Sequence, residues 1–383
     1  MEISSRGDVA PFIVMDVMEA ARLEEAKGRH IIHMEVGQPA SGAPKAALAA
    51  LKSAMDAGPL GYTVALGLPA LRERIAAMYL HRYGVALSPD RVVVTAGSSA
   101  GFLLGFTSLF DTGARVAIGD PAYPSYRNIL KSQGLEPVRL ETGAQSNFQP
   151  RPAQLAHARA DGLLVASPSN PTGTMLDKSD FQALVAECKA HNVALISDEI
   201  YHGIEYNKRA VSALEITDDV YVINSFSKYY SMTGWRVGWM VVPPGHVRRI
   251  ERLSQNLFIC ASHASQVAAL AAMACEDELE QHIKTYARNR QVLIKGLPQA
   301  GFGNFAPPDG AFYIYADVSD ITDDSRALAA EILRDAGVAV TPGLDFDPAR
   351  GYKTLRFSYA RSTDDMIEGV TRLKRWFDAR QSA

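Results

Sequence analysis

The chain has 383 residues, of which 47% are hydrophobic and 21% charged, and its formal net charge is −3. This length indicates two or three domains. The composition and charge argue against a nucleic-acid-binding face, and no apolar run is long enough to span a bilayer, so neither nucleic acid nor membrane is an expected partner. Three widely spaced cysteines fit no metal-binding pattern and indicate reduced thiols, hence a cytoplasmic protein without a metal site.

The N-terminal part predicts three helices and one short strand. The periodicity predicts a helix over 14–27, which Gly28 ends, and a strand over 31–36 that leads into a loop rich in Gly and Pro. Further helices are predicted over 45–57 and 69–82. This part therefore contains no alternation of strands and helices.

From residue 91 onward, strands and helices alternate. Apolar runs of strand length occur at 92–95, 116–118, 137–140, 163–166, 193–196 and 220–223. Helical stretches lie between them at 100–110, 126–133 and 178–191, and 237–242 adds a seventh strand. Such alternation predicts an α/β fold with a mostly parallel sheet covered by helices on both faces.

The remaining residues predict a second, smaller unit. A helical region extends to about residue 295, and its part from 264 onward resembles a connector between domains. Strands at 311–316 and 354–359 and a helix at 324–336 then indicate an α+β unit.

One lysine has an unusual sequence environment. Lys228 follows the apolar run 220–223 and lies among hydroxyls, small residues and aromatics, which places it at the carboxyl end of a buried strand. Burial lowers the pKa of a lysine and makes its amine nucleophilic, and such an amine can form a Schiff base with pyridoxal phosphate. Ser225 supplies a hydroxyl nearby, and Arg236 supplies a planar fork suited to a phosphate.

Residues 92–101 predict an anion site. They form a strand, a turn of small residues and a helix start, which directs free backbone N–H groups at a ligand. The segment also fits the G-x-S-x-G nucleophile elbow of hydrolases, with Ser99 as nucleophile. That alternative requires a histidine near the C-terminal end of the fold, but the last histidine is His282. We therefore favour Ser99 as a phosphate contact.

Two further strands end in polar residues that suit a pyridoxal ring. Asn170 follows the strand at 163–166, and Asp198 and Tyr201 follow the strand at 193–196. An acid such as Asp198 keeps the pyridine nitrogen protonated, while Asn170 and Tyr201 can donate to the phenolate oxygen of the ring.

With these stretches in place, the chain resembles the class I and II aminotransferases, the pyridoxal-phosphate enzymes of the aspartate aminotransferase superfamily and fold type I. The matching motifs occur in the order typical of the family and span nearly the whole chain. They are Tyr62-Thr-x3-Gly67-x3-Leu71-Arg72, Asp120-Pro-x-Tyr123-Pro-Ser-Tyr126, Ser167-Pro-x-Asn170-Pro-Thr-Gly173, Asp198-Glu-x-Tyr201, Ser225-x-Ser-Lys228-x7-Arg236-x-Gly238 and Arg356-Phe-Ser.

The resemblance implies a role for each matching position. Lys228 carries the Schiff base and shuttles the proton between the substrate α-carbon and cofactor C4′, Asp198 holds the ring nitrogen, Asn170 and Tyr201 hold the phenolic oxygen, and Tyr123 stacks on the ring. The implied phosphate contacts are Ser98, Ser99, Ser225, Arg236 and, from the partner subunit of a homodimer, Tyr62. Arg356 binds the substrate α-carboxylate with the backbone of Gly37 beside it. The resemblance also implies a large domain at 43–284 and a small domain made of 1–42 and 285–383.

The sequence leaves open both the fate of the substrate and its side chain. We interpret the chain as an aminotransferase that acts on an L-amino acid and a 2-oxo acid. A carbon–sulfur lyase is the alternative, because the cofactor motifs do not separate the two. The segment expected over the site mouth is apolar and includes Phe12 and Ile13. No second cation for a distal carboxylate is identifiable, although Arg6, Lys131 or an arginine of a partner subunit could reach the site. We therefore expect a neutral or apolar amino donor, such as alanine, methionine or an aromatic amino acid. One departure is visible: many relatives carry Pro-Gly-x-x-Phe-Gly where this chain has Asp347 as the last residue.

Overall fold

The computed structural model describes residues 3–382. Its helices are α1 (Ile13–Glu25), α2 (Lys45–Ala57), α3 (Pro69–Tyr83), α4 (Ser98–Leu109), α5 (Pro124–Ser132), α6 (Pro152–Ala158), α7 (Lys178–Ala190), α8 (Val247–Leu257), α9 (His263–Ala272), α10 (Glu276–Gly296), α11 (Ser325–Ala336) and α12 (Thr363–Gln381). Its strands are β1 (Ile32–His33), β2 (Val92–Thr95), β3 (Arg115–Asp120), β4 (Glu136–Glu141), β5 (Gly162–Ala166), β6 (Ala194–Asp198), β7 (Tyr221–Ser225), β8 (Gly238–Val241), β9 (Asn304–Phe305), β10 (Tyr313–Asp317), β11 (Val338–Ala339), β12 (Thr341–Pro342) and β13 (Thr354–Ser358).

The predicted seven-stranded sheet is confirmed. Its strand order is β2-β8-β7-β6-β5-β3-β4, and β8 alone runs antiparallel to its neighbours. The central strands are buried on both faces, as their continuous apolar runs indicate, and separate hydrophobic clusters cover the two faces. The α/β fold class inferred from the alternation is therefore correct.

One edge of this sheet collects the polar residues. The strands β2, β3, β5, β6 and β7 are parallel, so their carboxyl ends meet at the same edge. Because β8 runs in the opposite direction, its first residue, Gly238, reaches that edge as well and pairs with Thr95 and Ser225. The loops after these five strands are thus brought together with the start of β8.

The C-terminal part contains a second sheet with the order β12-β13-β10-β9, and β1 pairs with β11 in parallel. The pairing of β1 with β11 joins the N-terminal segment to the C-terminal part. The predicted boundary at residue 284 falls inside α10, which continues across it without interruption. The division of the chain at 43 and 284 stays a prediction.

Several details differ from the sequence-based elements. The strand predicted over 31–36 is only two residues long, because the chain then turns into the cavity described below. The helix predicted from 264 as one connector is broken at Met273–Cys275 into α9 and α10. The helices α6 and α12 were not predicted. Within the described residues, no helix is long and apolar enough to cross a membrane.

Candidate active site

A cavity of about 250 Å³ opens at the polar edge of the sheet. Its polar lining combines residues from the sheet edge with residues of β10 and β13 in the C-terminal sheet. Among them are Ser98, Ser99, Asn170, Asp198, Tyr201, Ser227, Lys228, Arg236 and Arg356. Most of the residues that the sequence singled out therefore share one cavity, although they are far apart in the chain.

The turn between β2 and α4 forms one end of the cavity. Gly97 has φ 78° and ψ 173°, a conformation that is essentially restricted to glycine. A Cβ atom at this position would lie 2.4 Å from Nη2 of Arg236. The missing side chain thus makes room for the guanidinium beside the start of α4, where Ser98, Ser99 and the first backbone N–H groups of the helix are located. Hydroxyls, N–H groups and a guanidinium in this arrangement suit a phosphate dianion.

Ser225 lies behind this anion site. Its hydroxyl donates to Ser227 Oγ at 2.9 Å and accepts from the backbone N–H of Ser227 at 3.1 Å. Ser227 lines the cavity and lies 3.4 Å from Nη1 of Arg236, whereas Ser225 does not line it. The direct phosphate contact expected of Ser225 stays a prediction, and Ser227 is a residue that the sequence reasoning missed.

Asp198 ends β6 at the floor of the cavity and is almost fully buried. Its carboxylate accepts a hydrogen bond from the Tyr126 hydroxyl and another from the backbone N–H of Ile200 at 3.0 Å. Burial raises the pKa of Asp198 to about 6, against the opposing effect of these two donors. A carboxylate held in this way can keep a ring nitrogen protonated.

Lys228 faces the cavity above the sheet edge. Its Nζ donates to the carbonyl oxygen of Gly37 at 2.6 Å and lies 5.8 Å from the centre of the Tyr201 ring. Burial, reinforced by the positive charges of Arg356 and Arg236, lowers the pKa of Lys228 to about 8. The amine is therefore easily deprotonated near neutral pH, as the sequence predicted for a nucleophilic lysine.

Arg356 lies in β13 of the C-terminal sheet, lines the cavity and is buried. Its Nη1 donates to Asn170 Oδ1 at 2.9 Å, and its Nη2 donates to the carbonyl oxygen of Glu35. The guanidinium carbon lies 4.4 Å from the centre of the Tyr313 ring, and Nε has no hydrogen-bond partner. A buried guanidinium with an unused N–H can donate a hydrogen bond to a bound carboxylate.

Tyrosines complete the polar half of the cavity. The hydroxyl of Tyr201 lies 2.7 Å from that of Tyr313, which the sequence reasoning missed. Tyr313 also approaches the backbone of Gly37 so closely that a Cβ there would lie 1.9 Å from its hydroxyl oxygen. Tyr123 precedes α5 and lines the cavity, with its ring 5.4 Å from that of Tyr126. Tyr313 lies in a predicted strand without any polar motif, so only the three-dimensional contacts reveal it.

An apolar wall forms the other half of the cavity. We use this name for Phe12, Val14, Met15, Met18 and Val36, which all line the cavity. Three of them belong to α1, and the ring of Phe12 meets the ring of Tyr123 edge-on at 5.9 Å between centroids. Ile13, which was also expected at the mouth, does not line the cavity.

Two expectations involve residues or groups absent from the cavity. Tyr62 does not line it, and 82% of its surface is exposed. No histidine lines the cavity within residues 3–382, so Ser99 lacks the base that a hydrolase requires there. The hydrolase alternative has no geometric support.

The cavity fits pyridoxal phosphate in the chemistry of its donors. The anion site around Arg236 lies at one end, Asp198 lies at the floor, and Lys228 is positioned between charged groups that lower its pKa. Because Gly97 has no side chain, the guanidinium of Arg236 occupies the space where a Cβ of residue 97 would lie. These features match the phosphate, the ring nitrogen and the carbonyl of the cofactor.

Comparison with known proteins decides the family. The model of the family described as aminotransferase class I and II matches residues 29–373. The chain belongs to the class I and II aminotransferases. It is 45% identical to a valine–pyruvate aminotransferase of Mycobacterium tuberculosis, over 98% of each chain. It is 31% identical to an aspartate aminotransferase of Pyrococcus horikoshii, over 91% of each chain.

A solved structure from Silicibacter pomeroyi, described as a candidate aminotransferase, is also similar. It is 61% identical, has a TM-score of 0.95, and the match covers 99% of this chain and 100% of that one. The resemblance and the fold type predicted from the sequence are thus confirmed, and the protein is a pyridoxal-phosphate-dependent aminotransferase. When bound, pyridoxal phosphate supplies a carbonyl for the amino group and a ring that withdraws electrons.

Proposed function

We propose that this aminotransferase moves the amino group of a neutral, apolar L-amino acid to a 2-oxo acid, with Lys228 as the reacting lysine. The observation that carries the donor class is the apolar wall. Within residues 3–382, the cations that line the cavity are Lys228, Arg236 and Arg356. Each has an assigned partner in the proposal, so none remains for a second substrate carboxylate.

The chain's own groups divide the work as follows. Arg356 and the amide of Asn170 bind and orient the α-carboxylate of the substrate, while Arg236, Ser98, Ser99 and the start of α4 hold the cofactor phosphate. Asp198 keeps the ring nitrogen protonated, and Tyr201 and Asn170 donate to the phenolic oxygen. Tyr123 packs against the ring.

The pKa of Lys228 supports its role in proton transfer. With a pKa of about 8, Nζ becomes largely uncharged at mildly basic pH, where an exposed lysine is still protonated, and the uncharged amine can take a proton from the α-carbon and return it. Its hydrogen bond to the carbonyl of Gly37 holds the amine on the cavity side of the sheet edge. Transamination requires one group that both removes and returns a proton, and Lys228 is positioned for it.

The apolar wall supports a neutral donor over aspartate. Placing the second carboxylate of aspartate against Phe12, Val14 and Met18 without a cation would cost several kcal/mol. The relative named for valine and pyruvate is more similar to this chain than the relative named for aspartate. A branched aliphatic donor such as valine therefore joins the neutral donors expected from the sequence.

We also propose a cytoplasmic homodimer. Tyr62 is exposed and does not line the cavity of its own subunit, which fits a contact with the phosphate bound by a partner subunit. All three cysteines are free, and burial raises the pKa of Cys188 to about 12, which leaves that thiol unreactive. Free thiols fit a reducing compartment.

The donor class is tested by measuring kcat/KM for valine, alanine, methionine, phenylalanine and aspartate with several 2-oxo acids. We expect a neutral donor to lead and aspartate to be slower than it by about tenfold or more. Aspartate faster than every neutral donor would overturn the proposal and indicate a cation contributed from elsewhere.

The role of Lys228 is tested in parallel with Lys228→Ala. This variant should lose transamination with every donor, because no other amine lines the cavity within the described residues. A Lys228→Ala protein that matched the wild type would refute the assignment. Pyruvate and ammonia formed from cystathionine without a 2-oxo acid acceptor would reveal an additional lyase activity in the wild type.

A further inference from the structure

The first turn of α1 is held by a residue more than three hundred positions away. Asp345 Oδ1 accepts a hydrogen bond from the backbone N–H of Ile13 at 3.0 Å, and Oδ2 accepts one from Val14 at 3.2 Å. Phe12, the residue at the cap position of this helix, makes no side-chain cap of its own. The carboxylate of Asp345 therefore does the work that a local Ser, Asp or Asn does in most helices, and it also places negative charge at the positive end of the helix.

The segment that carries Asp345 is itself fixed to the large sheet. Arg127 of α5 donates to the backbone carbonyl of Asp345. Two residues further, Asp347 pairs with Arg139 of β4 at 2.9 Å and with Arg350 at 2.7 Å. Asp347 is the residue at which this chain departs from the Pro-Gly-x-x-Phe-Gly pattern. The buried carboxylate of Asp347 anchors the loop to β4 through Arg139, and Asp345 of the same loop binds the start of α1. The loop therefore connects α1 to the large sheet.

The helix held in this way carries most of the apolar wall. Val14, Met15 and Met18 lie on α1, and Phe12 immediately precedes it. Val14 is both a wall residue and one of the two residues whose N–H groups bind Asp345. Any displacement of the first turn therefore moves the surface that faces the substrate side chain. Asp345 itself does not line the cavity.

We propose that Asp345 is a positioning residue that sets donor selectivity by fixing the apolar wall through the N-terminus of α1. This inference rests on the proposed donor class, because it assumes that the apolar wall distinguishes between donors with different apolar side chains. A donor with a larger apolar side chain benefits from a fixed wall, whereas the methyl group of alanine gains little from it. Loss of the cap should thus act on selectivity more than on the chemical step.

The chain offers a matched control for this cap. Asp324 caps α11, and its Oδ1 accepts from the backbone N–H groups of Arg326 and Ala327, both at 3.0 Å. The two aspartates therefore make the same kind of interaction with two successive N–H groups near a helix start. No residue of α11 lines the cavity. Asp345→Asn and Asp324→Asn each remove one charge and one oxygen acceptor from a helix cap.

The first measurement is hydrogen exchange of the full-length protein, with and without cofactor. In Asp345→Asn the new NH2 group replaces one of the two acceptor oxygens, so one of the two hydrogen bonds to the helix is lost. We expect the amide of Ile13 or Val14 that loses its acceptor to exchange about tenfold faster or more. Asp324→Asn should leave exchange at Ile13 and Val14 unchanged. It should alter exchange at Arg326 and Ala327 little, because the one oxygen that accepts both of their hydrogen bonds is retained in asparagine. Unchanged exchange at residues 13 and 14 in Asp345→Asn would overturn the proposal, whatever the activity of that variant.

The second measurement is kcat and KM for valine and alanine. Asp345→Asn should raise KM for valine about 5- to 10-fold with kcat nearly constant, and should change KM for alanine much less. Asp324→Asn should leave the ratio of the two kcat/KM values unaltered. An equal loss for both donors in Asp345→Asn would show a merely structural role and overturn the proposal. A wild-type preference for aspartate would refute the proposed donor class instead, and the exchange experiment separates these two failures.

Discussion

Gly97→Ala is the substitution whose effect follows most directly from the geometry. The new Cβ would lie 2.4 Å from Nη2 and 2.9 Å from Cζ of Arg236, so the guanidinium has to move away from the start of α4. The backbone conformation at φ 78° and ψ 173° also disfavours alanine by about 1–3 kcal/mol. The substitution therefore affects both the free energy of unfolding and the anion site.

The loss of one guanidinium–phosphate interaction corresponds to about 1.5–3 kcal/mol, or about a 10- to 150-fold weaker cofactor Kd. Titration of the apoprotein with pyridoxal phosphate, followed by absorbance and by protein fluorescence, measures this directly. The control is Gly105→Ala in α4, where the Cβ would meet Tyr221 at 3.7 Å, an ordinary contact. That variant should bind the cofactor normally and be neutral or slightly more stable, since alanine favours the helix. A Gly97→Ala protein with wild-type Kd would refute the assignment of Arg236 to the phosphate.

Two further predictions concern a histidine and a tyrosine. His33 lies between Glu35 and Glu25, and the hydrogen bond with Glu35 above all raises the pKa of His33 to about 9. Because this value exceeds the ordinary 6.5, the protonated His33 stabilises the folded state fully below pH 6.5, and this stabilisation is lost as pH rises towards 9. Thermal unfolding should therefore show His33→Gln less stable than the wild type by about 1–2 kcal/mol at pH 6, and this difference should shrink by pH 9. Tyr62→Phe should weaken cofactor binding about 3- to 10-fold if its hydroxyl reaches the partner's phosphate. Sedimentation of a monomer with full cofactor affinity would contradict that last expectation.

The sequence was most informative where polar or charged residues directly follow a buried strand. Lys228, Asp198 and Asn170 each come after an apolar run, and parallel strands bring such positions to one edge, so their meeting in one cavity could be predicted. Tyr313 and Asp345 could not be found in this way. Their contacts depend on how the C-terminal strands and loops approach residues 13–37, and no local pattern encodes that approach.

The limits of the element predictions have similar causes. The helix α12 was missed although it has a clear N-cap. The side chain of Ser362 accepts a hydrogen bond from the backbone N–H of Asp365. The break between α9 and α10 is marked only by the short segment 273–275, which has no proline or glycine. The difference between Ser225 and Ser227 depends on which hydroxyl the backbone turns towards the cavity, and two serines two residues apart offer no sequence signal for that choice.

The location of the apolar wall on α1 bears on how such enzymes diverge. The groups proposed to bind the cofactor lie on the edge of the large sheet, while most of the apolar wall, which we propose faces the substrate side chain, lies on a helix near the start of the chain. Substitutions in the first turns of α1 can therefore change the preferred amino acid while the cofactor site is inherited unchanged. This separation offers a physical reason why relatives of one fold are named for donors as different as valine and aspartate. It also identifies residues 12–18 as the segment to randomise when a new donor preference is sought by laboratory selection.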